Sequence, residues 1–443
     1  MSAKERKRVA VATLGCKLNH YDSQVILEAF EAAGYDAVPF SDPADVYVIN
    51  TCTVTETTDH QSRQLIRRAL RRKAEGGGVR VVVTGCYAQT APDEIENAAE
   101  GVDLIVGNNG KERIAEFVAD GAGPRTRVSD VFAERKLRSL PLARFGGYTR
   151  AFLRIQEGCD RRCAYCVVPY GRGVSRSETP GKVLEQARRF AAAGYGEIVL
   201  TGVHIGLYGL DLDPKTTLAE LLYSLHEIEG LRRVRLSSID PTELSPALIE
   251  AVTTLPKVCR HIHVSLQSGD DAVLRRMGRS YTTEEFRSLA DSIFRRAPDA
   301  ALGVDLMTGF PGEDDASFER TRSFAESLPL AYMHVFRFSP RRGTPAAEMR
   351  PRVPEEAKKE RSRILADVRR EKNLAFRRRF IGTELEVLVE NRRWKGDGRL
   401  TGLSGSYIRA FFNGGDDLFG KFARFVPERV SGCGVEGRAW LTS

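Results

Sequence analysis

Residues 158–173 read GCDRRCAYCVVPYGRG. Cys159, Cys163 and Cys166 stand there in the spacing C-x3-C-x2-C, and the next cysteine is Cys259. A structural zinc site wants four tetrahedral ligands, and no neighbouring Cys or His completes this set. A bacterial ferredoxin run is spaced C-x2-C-x2-C-x3-C, a different pattern. The third reading is a 4Fe–4S cluster on three thiolates with one iron left free. Catalytic zinc follows the same logic, three protein ligands leaving a position open for chemistry.

Working outward from this stretch, apolar runs at 150–155, 196–201, 232–237, 261–266, 302–307 and 332–338 read as strands. Helical patterns at 180–194, 217–229, 245–254, 282–297 and 314–327 alternate with them. Six strands with helices between them predict a partial or full α/β barrel over 148–354. The three cysteines then follow its first strand, at the strand end where βα barrels carry their active sites. Upstream, strands at 8–13, 45–50, 79–84 and 103–106 alternate with helices at 21–34, 56–74 and 92–100. That pattern predicts an α/β domain over 1–120 with a doubly wound parallel sheet. Residues 121–147 lack periodicity and read as a linker. Residues 355–380 read as a basic connecting helix, and the short β runs of 381–443 as a small β-barrel.

Three more cysteines stand directly after predicted strands: Cys16 in TLGCKLN, Cys52 in INTCTVT and Cys86 in VTGCYAQ. The C-terminal ends of parallel strands lie on one edge, where ligands bind, so the three can converge on one site. Each alone would read as a small buried side chain. Gly15 and Gly85, beside two of them, allow close backbone approach. Cys259 and Cys433 match no motif and are expected to be buried packing. His204, His261 and His263 are expected in satisfied structural roles.

The formal net charge is +8, which favours a polyanionic partner such as nucleic acid. No stretch approaches the ~20 apolar residues that span a bilayer. The segment MSAKERKRVAVATLG runs straight into a strand without a secretory h-region. A cytoplasmic location without disulfides is the expectation. A one-signed helix at 60–74 carries Arg63, Arg67, Arg68, Arg71, Arg72 and Lys73 around the stripe Leu65, Ile66, Ala69 and Leu70. Such a face suits phosphates, or else merely solubilises. Residues 355–380 carry ten Lys/Arg against five Asp/Glu, whereas 381–443 carry nine against eight. If the small barrel grips RNA, selected residues do so: Arg392, Arg393, Lys395 and Arg409. Trp394, Tyr407, Phe411 and Phe412 are candidates for stacking or core. No association helix is evident, so a monomer is expected.

The pieces LGCKLNHYDS, NTCTVTE, TGCYAQ, GCDRRCAYCVVPYGRG, SLQSG, GFPGE and FSPRRGT together resemble the methylthiotransferase family of radical S-adenosylmethionine (SAM) enzymes, across nearly the whole chain. The resemblance implies a 4Fe–4S cluster on Cys159, Cys163 and Cys166, whose open iron is chelated by SAM. It implies a second 4Fe–4S cluster on Cys16, Cys52 and Cys86 that carries or relays sulfur. It makes the C-terminal barrel TRAM-like, and it implies one SAM as radical source and another as methyl donor. An electron donor and a sulfur source would be further partners. Tyr165 precedes the last cysteine of the motif. Thr201, Gly202, Ser237, Gln267 and Asp305 lie at or near strand ends and are candidate SAM or substrate contacts. Arg172 and Gly173 match the family loop after the motif; without the resemblance they read as a surface turn.

LGCKLN, NTCTVT and HVSLQSG look most like the branch that modifies N6-threonylcarbamoyladenosine beside the tRNA anticodon. The branch acting on N6-isopentenyladenosine tends to read GCQMN and PVQSG, and the branch acting on a ribosomal-protein aspartate LGCPKN. The resemblance thus implies methylthio transfer to carbon 2 of the adenine in a tRNA anticodon stem-loop. The alternatives are the two sister substrates or, in a different class, a non-catalytic Fe–S protein that binds RNA or passes electrons.

Overall fold

The computed structural model describes residues 6–121 and 123–441. Its first unit is a six-stranded parallel sheet in the order β2-β1-β3-β4-β5-β6. The strands are β1 Arg8–Thr13, β2 Asp36–Val38, β3 Val46–Thr51, β4 Arg80–Gly85, β5 Leu104–Val106 and β6 Thr126–Arg127. One face packs Val9, Val46, Val48 and Val82 against Ile26 and Phe30; the other packs Tyr47, Ile49, Val81 and Val83 against Ile66 and Ala69. The sheet is therefore doubly wound, as the alternation predicts. The helix Lys17–Ala32 begins four residues before its expected start, and β2, β6 and the helix Ile114–Asp120 were not anticipated. β6 falls in the stretch read as linker and pairs with β5 at the sheet edge.

The second unit holds β7 Ala151–Arg154, β10 Glu197–Thr201, β11 Arg233–Leu236, β12 His261–Gln267, β13 Ala301–Thr308 and β14 Tyr332–Arg337. A two-stranded ribbon, β8 Gln156–Glu157 with β9 Arg176–Ser177, flanks the motif loop. The six barrel strands are parallel and pair as β11-β10-β7 and β12-β13-β14. Single bridges, Val234 to Val258 and Ile239 to Val264, join the halves. The result is a partial barrel, its helices outside and a continuous apolar core within.

The helix Glu355–Arg378 leads to a closed barrel of β15 Leu385–Val389, β16 Leu400–Ser404, β17 Arg409–Phe412, β18 Phe422–Val430 and β19 Val435–Trp440. Phe376 and Phe380 enter its core. Arg235, almost fully buried, donates to the Ser404 and Gly405 carbonyls and pairs with Glu197 at 2.8 Å. With Arg233, which donates to the Leu403 carbonyl at 2.9 Å and pairs with Glu386 at 3.1 Å, it joins the two barrels. Cys259 is buried as expected, but Cys433 is exposed: it sits in the turn between β18 and β19, where no core reaches it. Among the described residues no helix is long and apolar enough to cross a membrane.

Candidate active site between two cysteine trios

Cys16, Cys52 and Cys86 leave the C-terminal ends of β1, β3 and β4, which are neighbours in the sheet. The order β1-β3-β4 brings together three residues far apart in sequence. Gly15 and Gly85 both have positive φ, +98° and +99°. A Cβ on Gly15 would stand 2.7 Å from Cys52 Cβ and 2.8 Å from its Sγ; one on Gly85 would stand 2.3 Å from the Thr51 carbonyl. The missing side chains are what let the cysteine loops close on one another. Gly15→Ala is therefore expected to cost ~1–3 kcal/mol of strain and to push Cys52 out of place. Iron bound per chain, measured after reconstitution, falls by the share of this trio; full iron content would show the glycine to be dispensable.

The second trio sits on the loop after β7. Burial first, then the neighbouring Cys163 and Cys159, push the Cys166 thiol up to about 12. Burial, with Cys86 and Cys16 adding to it, does the same for Cys52, also to about 12. Each trio crowds thiols whose charged forms repel, and a bound cation removes that repulsion as it displaces the protons. Among the described residues no three His, Cys, Asp or Glu side chains close on a single ion. A polynuclear cluster asks for less, since each thiolate takes its own iron. The donor sets fit clusters better than zinc.

Polar groups surround both trios. His204 Nδ1 lies 3.3 Å from Cys159 Sγ, and its Nε2 lies 2.8 Å from the Glu243 carboxylate. Arg279 reaches Cys163 Sγ at 3.3 Å and pairs with Asp240 at 2.6 Å. Asn108 Nδ2 is 3.7 Å from Cys86 Sγ and also donates to the Gly171 carbonyl. Side chains hydrogen-bonded to metal-ligating atoms orient and tune them. His204 follows a barrel strand and was within reach of the strand-end rule; Arg279 and Asn108 carry no local signal.

The helical turn Val168–Arg172 spans from one trio to the other. It starts two residues after Cys166, and a Cβ on Gly171 would lie 3.5 Å from Cys86 Cβ. Arg172 is 2% exposed, which corrects its reading as a surface turn. Its guanidinium pairs with Asp22 at 2.8 Å and Glu157 at 2.6 Å, and donates to Asn19 Oδ1 at 2.5 Å. Lys111 pairs with the same Asp22. Arg341, in FSPRRGT, makes a similar tie beside Cys52 by donating to Thr53 Oγ1 at 2.8 Å and to Asp59.

A cleft of about 830 Å³ lies among the three units. Gly15, Cys16, Lys17, Cys52 and Thr55 line it from the sheet domain, Ser237, His263, Asp305 and Phe336 from the barrel, and Tyr407 from the C-terminal barrel. A smaller cavity of about 230 Å³ shares Val54, Asp305 and Phe336 with it and ends at Tyr165 and Cys166. The two cavities together run from one trio to the other. Val54, Phe336 and Tyr407 are unusually exposed for their size, and all three line the cleft. Tyr407 also stacks on His261, with ring centroids 4.5 Å apart.

Of the predicted contacts, Ser237 and Asp305 line the cleft, and Tyr165, Gln267 and Asp305 the small cavity. Gln267 has φ 64°, an outlier for a residue with a side chain and a sign of local strain. Thr201 is buried, and Gly202 packs on Gln156, where a Cβ would meet the Gln156 carbonyl at 2.8 Å; neither borders these cavities. Arg67, Arg68 and Arg71 are exposed on the helix Glu56–Glu75. Arg63 instead donates to Tyr87, and Arg72 donates to the Ser41 carbonyl and pairs with Glu75. On the small barrel Arg392 and Lys395 face solvent, Arg393 is held by Asp416 at 2.7 Å, and Arg409 lies over Trp394. Phe411 and Phe412 are core.

Residues 8–107 match the model of the family described as Uncharacterized protein family UPF0004, and residues 153–325 that of the Radical SAM superfamily. Two solved structures share the fold. One is the radical S-adenosylmethionine methyltransferase TsrM from Kitasatospora setae, with TM-score 0.55 and 16% identity over 75% of each chain. The other is the S-adenosylmethionine radical enzyme OxsB, with TM-score 0.51 and 12% identity over 82% of this chain and 56% of that one. The partial parallel barrel with its C-x3-C-x2-C loop thus marks a radical SAM enzyme.

Curated relatives narrow the class. The threonylcarbamoyladenosine tRNA methylthiotransferase MtaB of Bacillus subtilis is 39% identical over 94% of this chain and 92% of its own. That of Thermotoga maritima is 35% identical over 97% and 96%. The tRNA-2-methylthio-N(6)-dimethylallyladenosine synthase of Pelotomaculum thermopropionicum is 34% identical over 96% of each chain. The chain belongs to the radical SAM methylthiotransferase family, whose membership implies a 4Fe–4S cluster and SAM.

Proposed function

We propose that this enzyme adds a methylthio group to carbon 2 of N6-threonylcarbamoyladenosine in a tRNA anticodon stem-loop. The observation that carries the reading is the pair of adjoining cavities, one bordered by Cys16 and Cys52 and the other by Cys166, with Val54, Asp305 and Phe336 lining both. A base turned into the cleft lies within reach of both trios, with Phe336 and Tyr407 available for stacking. Cys159, Cys163 and Cys166 would hold the cluster that binds SAM, and Cys16, Cys52 and Cys86 a second one. When bound, the cofactors supply the radical that breaks an unactivated C–H bond, and the sulfur and methyl that replace the hydrogen, chemistry beyond side-chain acids and bases. The protein orients the base, excludes water and fixes the separation of the trios. Tyr165, Gln267 and Asp305, which line the small cavity, would touch SAM, and Ser237, which lines the cleft, the substrate. The relatives' substrate favours the threonylcarbamoyl branch.

Comparing tRNA nucleosides by mass spectrometry from cells with and without the gene tests this directly. The 2-methylthio derivative of threonylcarbamoyladenosine should vanish while its precursor accumulates. Loss of the isopentenyl counterpart instead would move the protein to the sister branch. Grip on the RNA is assigned to Arg67, Arg68 and Arg71, with Arg392 and Lys395. The triple change R67E, R68E and R71E is expected to raise the tRNA Kd about tenfold or more near 0.1 M salt, and to flatten the salt dependence. An unchanged salt slope would show that this face only solubilises.

A further inference from the structure

The cleft wall contains a lysine without a carboxylate partner, the adjoining Cys16 thiol being the one acid that acts on it. Lys17 lines the cleft, and among the described residues its ammonium has no hydrogen-bond or ion-pair partner. The acids of the cleft are accounted for elsewhere. Asp305 lies 3.3 Å from His263, Glu355 pairs with Lys358 at 2.7 Å, and Glu56 is exposed at the rim. Arg150 and Arg235, which act on Lys17 electrostatically, both face Glu197. Three further polar atoms on the cleft lining are buried without a hydrogen-bond partner: His263 Nε2, which faces Asp305, and Ser237 Oγ and His261 Nδ1. His261 is 4% exposed, and its other nitrogen is bound to Tyr332 Oη at 2.7 Å. Buried polar atoms left unpaired are costly. One lysine and two orphan atoms beside an aromatic surface describe a receptor for a small anionic group.

We propose that Lys17, with Ser237 and His261, binds the carboxylate of the substrate's threonylcarbamoyl group. The inference rests on the functional reading above and adds the residues that select the substrate. Threonylcarbamoyladenosine presents a carboxylate and a hydroxyl at this point, whereas a dimethylallyl group presents only hydrocarbon. A site built to pair polar groups rejects a ligand lacking them, because its own atoms then stay unpaired.

The test uses the full-length enzyme reconstituted with iron and sulfide, and three anticodon stem-loop RNAs. They carry threonylcarbamoyladenosine, its neutral carboxamide, and N6-dimethylallyladenosine. Unmodified enzyme is expected to bind the acid about tenfold to a hundredfold more tightly than the carboxamide, the range for a charge-assisted hydrogen bond. In Lys17→Met the two bind equally, at the carboxamide's level, and Lys17→Arg restores part of the preference. Equal binding of acid and carboxamide by unmodified enzyme overturns the inference, as does a Lys17→Met enzyme that loses both alike. Lys17 adjoins Cys16, so iron per chain is measured as well. If Lys17→Met loses iron, Ser237→Ala decides, and an unchanged acid-to-carboxamide ratio there overturns the inference. Methylthiolation of the dimethylallyl RNA alone overturns the functional reading itself, and this inference with it.

Discussion

Cys163→Ala is expected to yield no 5′-deoxyadenosine when the reconstituted enzyme is reduced with SAM under anaerobic conditions, whereas Cys52→Ala should still yield it but form no methylthio product. Both variants lose iron, each by one trio's share. The contrast follows from the geometry. Cys163 belongs to the barrel trio, held by Arg279 at 3.3 Å, and its loss removes one of three thiolates from a loop with no spare donor. Cys52 belongs to the sheet trio, and the barrel loop does not depend on it for position. Mass spectrometry of the nucleoside products, run beside chromatography of the SAM fragments, reads both effects in one reaction. Persistent SAM cleavage in Cys163→Ala would remove the cluster from that loop. Methylthio transfer surviving in Cys52→Ala would end the assignment of a sulfur-handling role to the sheet trio.

Arg172→Met is expected to destabilise the enzyme by about 3 kcal/mol, the low end for breaking a buried ion pair, because Asp22 and Glu157 lose their shared arginine and keep only Lys111 and, for Glu157, Arg154 and Arg176. Asp22 shows the sign. Burial alone would raise its carboxyl, but Arg172 and then Lys111 outweigh burial and hold it well below the usual carboxylate range. Glu157 is lowered in the same way, burial being outweighed by Arg172 and Arg154. A depressed carboxylate contributes stability above its unfolded pKa of about 4 and loses it as pH falls through the folded value. Removing Arg172 shrinks that contribution, so acid unfolding in the variant begins at higher pH. Arg172→Lys keeps the charge but not the two-pronged geometry, and falls between.

The same substitution has a functional signature. Arg172 and Gly171 lie on the turn that follows Cys166 and packs beside Cys86, so a looser clamp lets the separation of the trios wander. Yield of 5′-deoxyadenosine per methylthio product is expected to rise in Arg172→Met, measured at a temperature where the variant is folded. An unchanged ratio with reduced stability would make Arg172 a structural strut only.

The broad architecture was legible because it rests on short-range signals. Strand and helix periods at 8–13, 45–50 and 79–84 placed β1, β3 and β4 closely, and the strand-end rule set a cysteine after each. Elements too short to show a period were missed: β2 spans three residues, two of them exposed, and β6 spans two. Cys433 was misjudged for a related reason, since a cysteine in a turn between strands carries no mark of its exposure.

By itself the sequence determined the three-part organisation, the two cysteine trios and the chemistry those trios imply. The C-x3-C-x2-C loop follows from spacing within a few positions, the trio Cys16, Cys52 and Cys86 from the strand-end rule applied to three distant loops, and the chemistry from the resemblance to a known family. Only the tertiary structure decided that Arg172 is a buried clamp, bound to Asn19 across 153 positions of chain. It alone set Arg341 beside Thr53, across 288 positions, and brought Lys17, Ser237 and His261 to the lining of one cleft. The physical reason is that burial and charge pairing belong to the packed molecule. An arginine in a glycine-flanked turn looks the same in sequence whether water or two carboxylates surround it.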